Sequence, residues 1–354
     1  VKILCISDAW LPQVNGVVRT YQVLQQELAR QGHELIVIGP AEFPLTLPLP
    51  GYPEIRLALF PGKRLQKKIL SLAPDAIHIA TEGPLGRAAR HICLRRRIAF
   101  TTCYHTRFPD YIGLRVARIL PALRTPVTKF VMHLLRTFHA PASRLLVVTP
   151  SLKAQLEQQG YTPPIHCFSR GVDTGLFRPG PRTEFADLKR PVALCVGRIA
   201  LEKTLENFLD AEWPGAKVIV GDGPELERLK HTYPEAIFLG TRTGEALAAC
   251  YRSADIFVFP SKTDTFGLVL IEALASGLPV AAYCVPGPLD IIDRPELGCL
   301  NDDLAVAMQA ALKAPGTPED RARHIATTYT WEAAARQFLA GLVSTGLVST
   351  RQTP

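Results

Sequence analysis

Short, nearly continuous apolar runs recur along this chain, each closed by glycine, proline or a polar turn and followed by a helical pattern. Residues 2–7, 33–40, 76–80, 98–103 and 145–149 are such runs in the first half. Residues 191–196, 217–220, 237–240, 256–259 and 280–282 are their counterparts in the second. A strand that is apolar on both faces needs cover on both faces, so the pattern predicts parallel sheets sandwiched by helices. Helices are expected over 16–32, 63–71, 82–97, 151–160, 267–276, 303–313 and 319–340. The proline-rich stretch 41–62 reads as an irregular connection. Between residues 110 and 157 basic and apolar positions interleave, and Pro121 and Pro126 are expected to interrupt the pattern into short amphipathic helices.

Length adds the next constraint: 354 residues are too many for one ordinary core and enough for two domains. No apolar run reaches the roughly eighteen residues that would span a membrane, and the initial VKILCIS reads as a core strand instead of a signal peptide. The eight cysteines (5, 93, 103, 167, 195, 250, 284 and 299) form no CxxC pair, and several sit in strand-like runs. They read as reduced core residues of a cytosolic protein, with neither a zinc site nor a disulfide framework.

Charge is divided unevenly. Residues 1–170 hold 22 Lys/Arg and 9 Asp/Glu, a net +13, whereas residues 171–354 hold 18 and 23, a net −5. The reversal puts a boundary near 170 and gives the first domain an anionic partner. Between Asp110 and Glu157 there is no acidic residue, while Arg115, Arg118, Arg124, Lys129 and Arg136 stand among leucines, valines and phenylalanines. Basic amphipathic helices of this kind suit an anionic membrane surface. The competing reading is a solvated face over a normal core. No aromatic stacking pattern supports nucleic acid.

Candidate chemistry concentrates in residues 253–288, SADIFVFPSKTDTFGLVLIEALASGLPVAAYCVPGP. A strand, a polar turn and a helix N-terminus in succession make an anion site, since the loop exposes N–H groups and the helix dipole favours negative charge. Asp264 sits in the turn. Glu272 sits inside the helix among Leu270, Ile271, Ala273, Leu274 and Ala275, where a carboxylate needs a partner such as a ribose hydroxyl or an arginine.

This string resembles the nucleotide-sugar signature of the retaining glycosyltransferases of family 4. The family usually carries Glu, seven residues, Glu; here Asp264 takes the first place and Glu272 the second. The resemblance implies an α/β protein of the GT-B fold, two Rossmann-like domains with parallel sheets facing across a central cleft. It extends to NGVVRT (15–20), YHTRFPDY (104–111), GVDTGLF (171–177), GRIALEK (197–203), GDGP (221–224) and PGPLDII (286–292). On that resemblance Asn15 and Gly16 close over the donor diphosphate, His105 reaches the donor sugar and Gly171 marks the inter-domain hinge. Arg198 and Lys203 hold the diphosphate, Gly223 lines the nucleotide, Asp264 orients sugar hydroxyls and Glu272 takes the ribose. The loop and amides of Thr265, Phe266, Gly267 and Leu268 meet the departing diphosphate, and Asp290 is a further acidic candidate.

The chemistry agrees with those residue types. A nucleoside diphosphate gains charge as it leaves, and two fixed cations offset that charge. The chain has no Asp-x-Asp triplet to clamp a metal, so no cofactor and no metal are expected. The expected domains are 1–170 for the acceptor and 171–330 for the nucleotide sugar, with a last helix, 331–345, packing back on the first. The preferred reading is transfer of a hexose or uronic acid from a UDP-sugar to a lipid such as diacylglycerol, by a peripheral protein on the inner face of the cytoplasmic membrane. The alternatives are a GDP-mannose-dependent mannosyltransferase acting on a glycan or lipid-linked glycan, a nucleotide-sugar epimerase, and a non-catalytic membrane or nucleotide-binding scaffold.

Overall fold

The structure, a computed structural model, describes residues 1–13, 15–49 and 52–347. The chain divides into two compact units. Unit 1 holds Val1–Thr106, Lys129–Arg170 and the chain from Trp331 onward; unit 2 holds Arg107–Thr128 and Gly171–Thr330.

Unit 1 begins with β1 (Lys2–Ile6), α1 (Gly16–Arg30) and β2 (Glu34–Ile38), followed by β3 (Thr46–Leu49), β4 (Tyr52–Ala58), α2 (Gly62–Leu72), β5 (Ala76–Ile79), α3 (Pro84–Arg96) and β6 (Thr101–Cys103). After α4 (Phe108–Ile119), which belongs to unit 2, come α5 (Arg124–His139), in unit 1 from Lys129 onward, then β7 (Arg144–Val147), α6 (Pro150–Gln158) and β8 (Ile165–Cys167). Six strands form one parallel sheet in the order β2-β1-β5-β6-β7-β8. Its middle strands are buried along nearly their whole length, which accounts for their unbroken apolar sequence.

Unit 2 continues with β9 (Ala193–Val196), α7 (Leu205–Asp210), β10 (Lys217–Val220), α8 (Leu226–Thr232), β11 (Ile237–Phe238) and α9 (Gly244–Ser253). Next come β12 (Ile256–Phe259), α10 (Leu268–Ala275), β13 (Val280–Ala282), α11 (Pro288–Ile291), β14 (Gly298–Leu300), α12 (Leu304–Ala311) and α13 (Pro318–Thr328). Its sheet is also parallel, in the order β11-β10-β9-β12-β13-β14.

Four sequence expectations change. Residues 41–62 are not irregular: β3 and β4 pair antiparallel, Thr46 opposite Ala58, and Arg56 Nε donates to Thr46 Oγ1 at 2.7 Å. A two-stranded ribbon has outward edges where a proline such as Pro48 costs no ladder bond. Pro126 does not break a helix; it lies in the first turn of α5, where a missing N–H is harmless. The helix expected over 319–340 is two helices, because Tyr329 leaves helical geometry (φ −113°, ψ 68°) and packs edge-on against Phe266. Finally, residues 107–128 group with unit 2 although they lie well before residue 170.

The chain's last helix, α14 (Trp331–Gly341), packs in unit 1. Phe338 is fully buried, 5.4 Å from Phe168, 5.1 Å from His78 and 6.3 Å from Tyr21 between ring centroids. Arg144 donates to Ala340 O at 2.7 Å, His166 Nε2 lies 2.8 Å from Gln337 O, and Gln337 Oε1 accepts from Ser169 N at 2.7 Å. Emptying so closed a site leaves a cavity, so Phe338→Ala is expected to cost about 3–5 kcal/mol, read as a lowered midpoint in denaturant unfolding.

Candidate active site

In a doubly wound sheet the loops diverge where the strand order reverses, and ligands bind there. In unit 2 that place lies between β9 and β12. The loop after β9 carries Arg198, half-buried, and Lys203 at the end of a 3₁₀ turn, Leu201–Lys203. The loop after β12 carries Asp264. The two loops meet: Lys203 Nζ donates to Asp264 Oδ1 at 2.5 Å and Oδ2 at 2.8 Å. Burial opposes the charge on Lys203, but Asp264, Tyr111 and Glu202 outweigh it and hold its pKa above the ordinary amine value. The sequence reading gave these two residues separate tasks, diphosphate and sugar; here each is the other's partner.

Glycines let the strand ends crowd together. Gly221, at φ +147°, would put a Cβ 1.9 Å from the Gly197 carbonyl oxygen, and Gly223 would put one 2.2 Å from that of Ile199. At the start of α10, Gly267 has φ +89° and provides no side-chain cap, so first-turn amides there are not capped by it. Gly287 lies against the Phe266 carbonyl, where a Cβ would come within 2.8 Å.

Glu272 is buried, 3% exposed, and its Oε2 accepts from Tyr251 Oη at 3.0 Å. Tyr251 is buried on α9 and packs edge-on against Phe177, 5.7 Å between centroids. The segment that begins at Gly171 thus supports the Glu272 partner through its aromatic residue. Asp290 is engaged near the same loops: its Oδ2 accepts from Gly287 N, and its backbone carbonyl accepts from Tyr329 Oη.

Unit 1 places His105 just beyond β6, bonded on both sides. Arg170 Nη2 stands 3.2 Å from His105 Nδ1, and His105 Nε2 stands 2.8 Å from Tyr21 Oη. Tyr21 Oη is also 2.7 Å from His78 Nε2, whose Nδ1 is 2.9 Å from Thr101 Oγ1. Thr101 Oγ1 donates to Ile77 O at 3.3 Å. A guanidinium can only donate, which fixes every proton downstream. His105 Nδ1 accepts, so its neutral ring carries the proton on Nε2 and donates to Tyr21. Tyr21 then donates to His78 Nε2, and His78 donates from Nδ1 to Thr101. Burial first, and the Arg170 charge second, hold His105 well below the usual histidine range, and the same causes lower His78 to about 3. His105 is therefore a neutral, oriented ring whose two nitrogens are both occupied within unit 1.

Asn15 is committed as well: its Oδ1 accepts from Val17 N and Val18 N at 3.0 Å and caps α1, which starts at Gly16. Along the basic segment, Arg115 on α4 lies 3.8 Å from Glu202, and Arg136 Nη1 donates to Gln159 O at 3.1 Å. Leu123 and Arg124 in unit 2, and Lys129, Phe130 and Leu134 in unit 1, are exposed. The Arg118 side chain lies outside the described residues. Among these residues, no helix is long and apolar enough to cross a membrane.

Sequence reasoning missed Tyr21, His78, Arg170, Tyr111 and Tyr251. His78 alone left a signal, as the one polar residue within the apolar run 76–80. Tyr111 lies on α4, its hydroxyl pushed up to about 12 by burial and by Asp264.

Comparison with known proteins shows the family and the fold. Residues 14–176 match the model described as Glycosyltransferase Family 4, and residues 190–314 match Glycosyl transferases group 1. The chain is 32% identical, over 85% of its length and 83% of the relative's, to a GDP-mannose-dependent alpha-mannosyltransferase of Mycobacterium tuberculosis. It is 26% identical, over 95% and 83%, to an alpha-monoglucosyldiacylglycerol synthase of Streptococcus pneumoniae. In fold it matches sucrose-phosphate synthase from Thermosynechococcus elongatus with a TM-score of 0.69, at 21% identity over 96% of this chain and 97% of that one.

The buried histidines set a pH dependence. Unfolded, each takes up a proton below about pH 6.5; folded, each resists it until much lower. The unfolded state therefore binds more protons as pH falls. The stability is complete above about 6.5 and is lost below it, by up to about 1.4 kcal/mol per pH unit for each ring. Denaturant titrations from pH 7.5 to 4.5 are expected to show that decline, with a shallower slope in His78→Gln.

Proposed function

Because the chain belongs to glycosyltransferase family 4, with its GT-B fold and glycosyltransferase activity, we propose that it is a retaining, metal-independent glycolipid synthase. The observation that carries the donor half is the meeting of the two loops at the β9/β12 switch point, where Lys203 of the loop that also carries Arg198 bonds Asp264 of the loop that leads into α10. A nucleoside diphosphate brings negative charge to that spot. The diphosphate takes Lys203 as a cation it shares with Asp264, while Arg198 and the first amides of α10 receive the phosphate oxygens. Asp264, released in part, turns to sugar hydroxyls, and Glu272 accepts from the ribose.

In the transfer, the bond from the anomeric carbon to the diphosphate oxygen breaks as the acceptor oxygen attacks from the same face. The acceptor's proton passes to the departing diphosphate. The fixed cations stabilise the charge as it develops, which is where electrostatic preorganisation has its effect. With both ring nitrogens occupied, His105 is not the base; it contacts the sugar near its reacting carbon, or meets the developing positive charge through its backbone carbonyl.

The lipid acceptor rests on the exposed apolar and basic side chains of Leu123, Arg124, Lys129, Phe130 and Leu134, a composition suited to an anionic bilayer surface. The name of the Streptococcus pneumoniae relative, an alpha-monoglucosyldiacylglycerol synthase, supports diacylglycerol as the acceptor and a hexose as the transferred group; a UDP-hexose or UDP-uronate is the donor this reading takes. A second reading, GDP-mannose as donor, is favoured by the name of the Mycobacterium tuberculosis relative.

Nucleoside diphosphate release from a panel of UDP- and GDP-sugars, with chelator, with and without diacylglycerol in anionic vesicles, separates the two. Release from a UDP-sugar that rises with the lipid is expected; release only from GDP-mannose overturns the donor choice. Arg198→Ala and Glu272→Ala are each expected to lower kcat/KM by about 10²–10³-fold. The double change Arg124→Glu and Lys129→Glu is expected to reduce cosedimentation with the vesicles by about tenfold or more.

A further inference from the structure

The part of unit 1 built from β3, β4, α2 and α3 has no task in the site above. In the ribbon Thr46 pairs with Ala58 and Leu47 with Leu57, and Leu59 N donates to Leu45 O at 2.8 Å. Side chains alternate along a strand, so Leu45, Leu47, Leu57 and Leu59 share one face, and Thr46 and Ala58 the other. Ala58 is buried in the core with Phe43, Leu65 and Ile69. The four leucines are therefore on the face turned from that core, where Leu45 is 58% and Leu47 55% exposed. An outward ribbon face ordinarily carries polar residues. This one is inverted.

Phe60 follows directly. It is 90% exposed, and its backbone is left-handed at φ +49°, a conformation that bulky residues rarely adopt. The ring buries almost nothing, so packing within the chain does not account for it. Two residues later α2 begins. It packs against α3, and α3 against β4, and both helices bury an apolar side in the same core. Their solvent sides are basic: Lys63, Arg64 and Lys67 on α2 and Arg87, Arg95 and Arg96 on α3 are exposed. Exposed Leu70 and Leu94 stand among them, and neither helix contains an acid. Residues 60–100 hold nine Lys/Arg and two acids, a net +7 of the +13 carried by residues 1–170. Both acids are engaged: Asp75 Oδ2 accepts from Lys2 N at 2.7 Å, and Glu82 Oε1 is buried 3.3 Å from His139 Nε2. The Glu54 side chain, on β4, lies outside the described residues.

We propose that this part of unit 1 docks on a bilayer surface that holds anionic lipid. Phe60 and the ribbon leucines enter at the level of the acyl chains, and the basic sides of α2 and α3 meet the headgroups. Exposed apolar side chains next to exposed lysines and arginines suit that surface. A second copy is the poorer occupant, because a two-fold contact would set the same basic helices against each other. The inference rests on the membrane reading above and on no particular donor, and it assigns the contact to residues which that reading does not use.

The test is cosedimentation with vesicles of phosphatidylglycerol and phosphatidylcholine, together with quenching by lipid brominated near the headgroup. In Phe60→Trp the new indole is expected to raise the quenched fraction about twofold over the unaltered chain. Lys63→Glu, Arg64→Glu, Arg95→Glu and Arg96→Glu combined are expected to weaken vesicle binding by about a hundredfold. Leu45→Ser, Leu47→Ser and Phe60→Asn combined are expected to weaken it by about tenfold. Asparagine tolerates the left-handed backbone, so Phe60→Asn alone keeps the unfolding midpoint. Binding by the four-charge variant within threefold of the unaltered chain overturns the proposal. If binding is lost in Arg124→Glu with Lys129→Glu but kept in the variants of this face, the proposal fails and the membrane reading stands. Absence of binding by the unaltered chain overturns both. Self-association without lipid that Leu45→Ser with Leu47→Ser abolishes gives the face to a second copy, and also overturns the proposal.

Discussion

A parallel sheet covered on both faces leaves its central strands no room for polar side chains, and that constraint arranges everything else in this protein. Strands β1, β5, β6, β12 and β13 are almost completely buried. Polar chemistry is pushed to the loops at their carboxyl ends, where side chains gather because the strands converge on one edge. Lys203 with Asp264 in one unit, and His105 and Glu82 in the other, are products of the same geometry. None is brought in by a helix interior. Glu272 is the exception, and it needs Tyr251 to be tolerated there.

The two edges solve the problem of buried charge differently. Unit 2 pairs a cation, Lys203, with an anion, Asp264, so that each charge is the other's partner. Unit 1 runs a chain of neutral donors and acceptors outward from one arginine, and the direction of each bond is set by the group before it. Such a chain holds a ring in one tautomer without placing a second charge in the core. It also removes His105 from proton transfer, consistent with a transfer in which the leaving group accepts the proton.

Much of this was legible in the sequence, and the reasons are physical. The alternation of apolar runs and helical stretches marked both sheets, since strands buried twice over have no polar period. The string around Asp264 and Glu272 was readable because strand, turn and helix follow one another directly in the chain. The relay was not readable, for Tyr21, His78, His105 and Arg170 are brought together only by strand order. The pairing of Lys203 with Asp264 was hidden for the same reason, 61 residues separating them. The ribbon at β3 and β4 was missed because prolines that would disrupt a central strand are harmless at an edge. Assignment of α4 to unit 2 contradicts its place in the chain, and depends on contacts such as Arg115 with Glu202 that no local pattern encodes.

The last helix has a consequence for how this protein is made. Unit 1 closes its core with Phe338, and Ser344 and Thr345 beyond that helix return to β5 and its approach through Ala76, Asp75 and Pro74. A chain emerging from the ribosome therefore presents the sheet of unit 1 long before the residues that cover it, with residues 171–330 of unit 2 synthesised in between. Tyr21 and Phe168 stay uncovered for that interval, exposing an apolar surface of the kind chaperones recognise. Unit 1 is begun before unit 2 and finished after it.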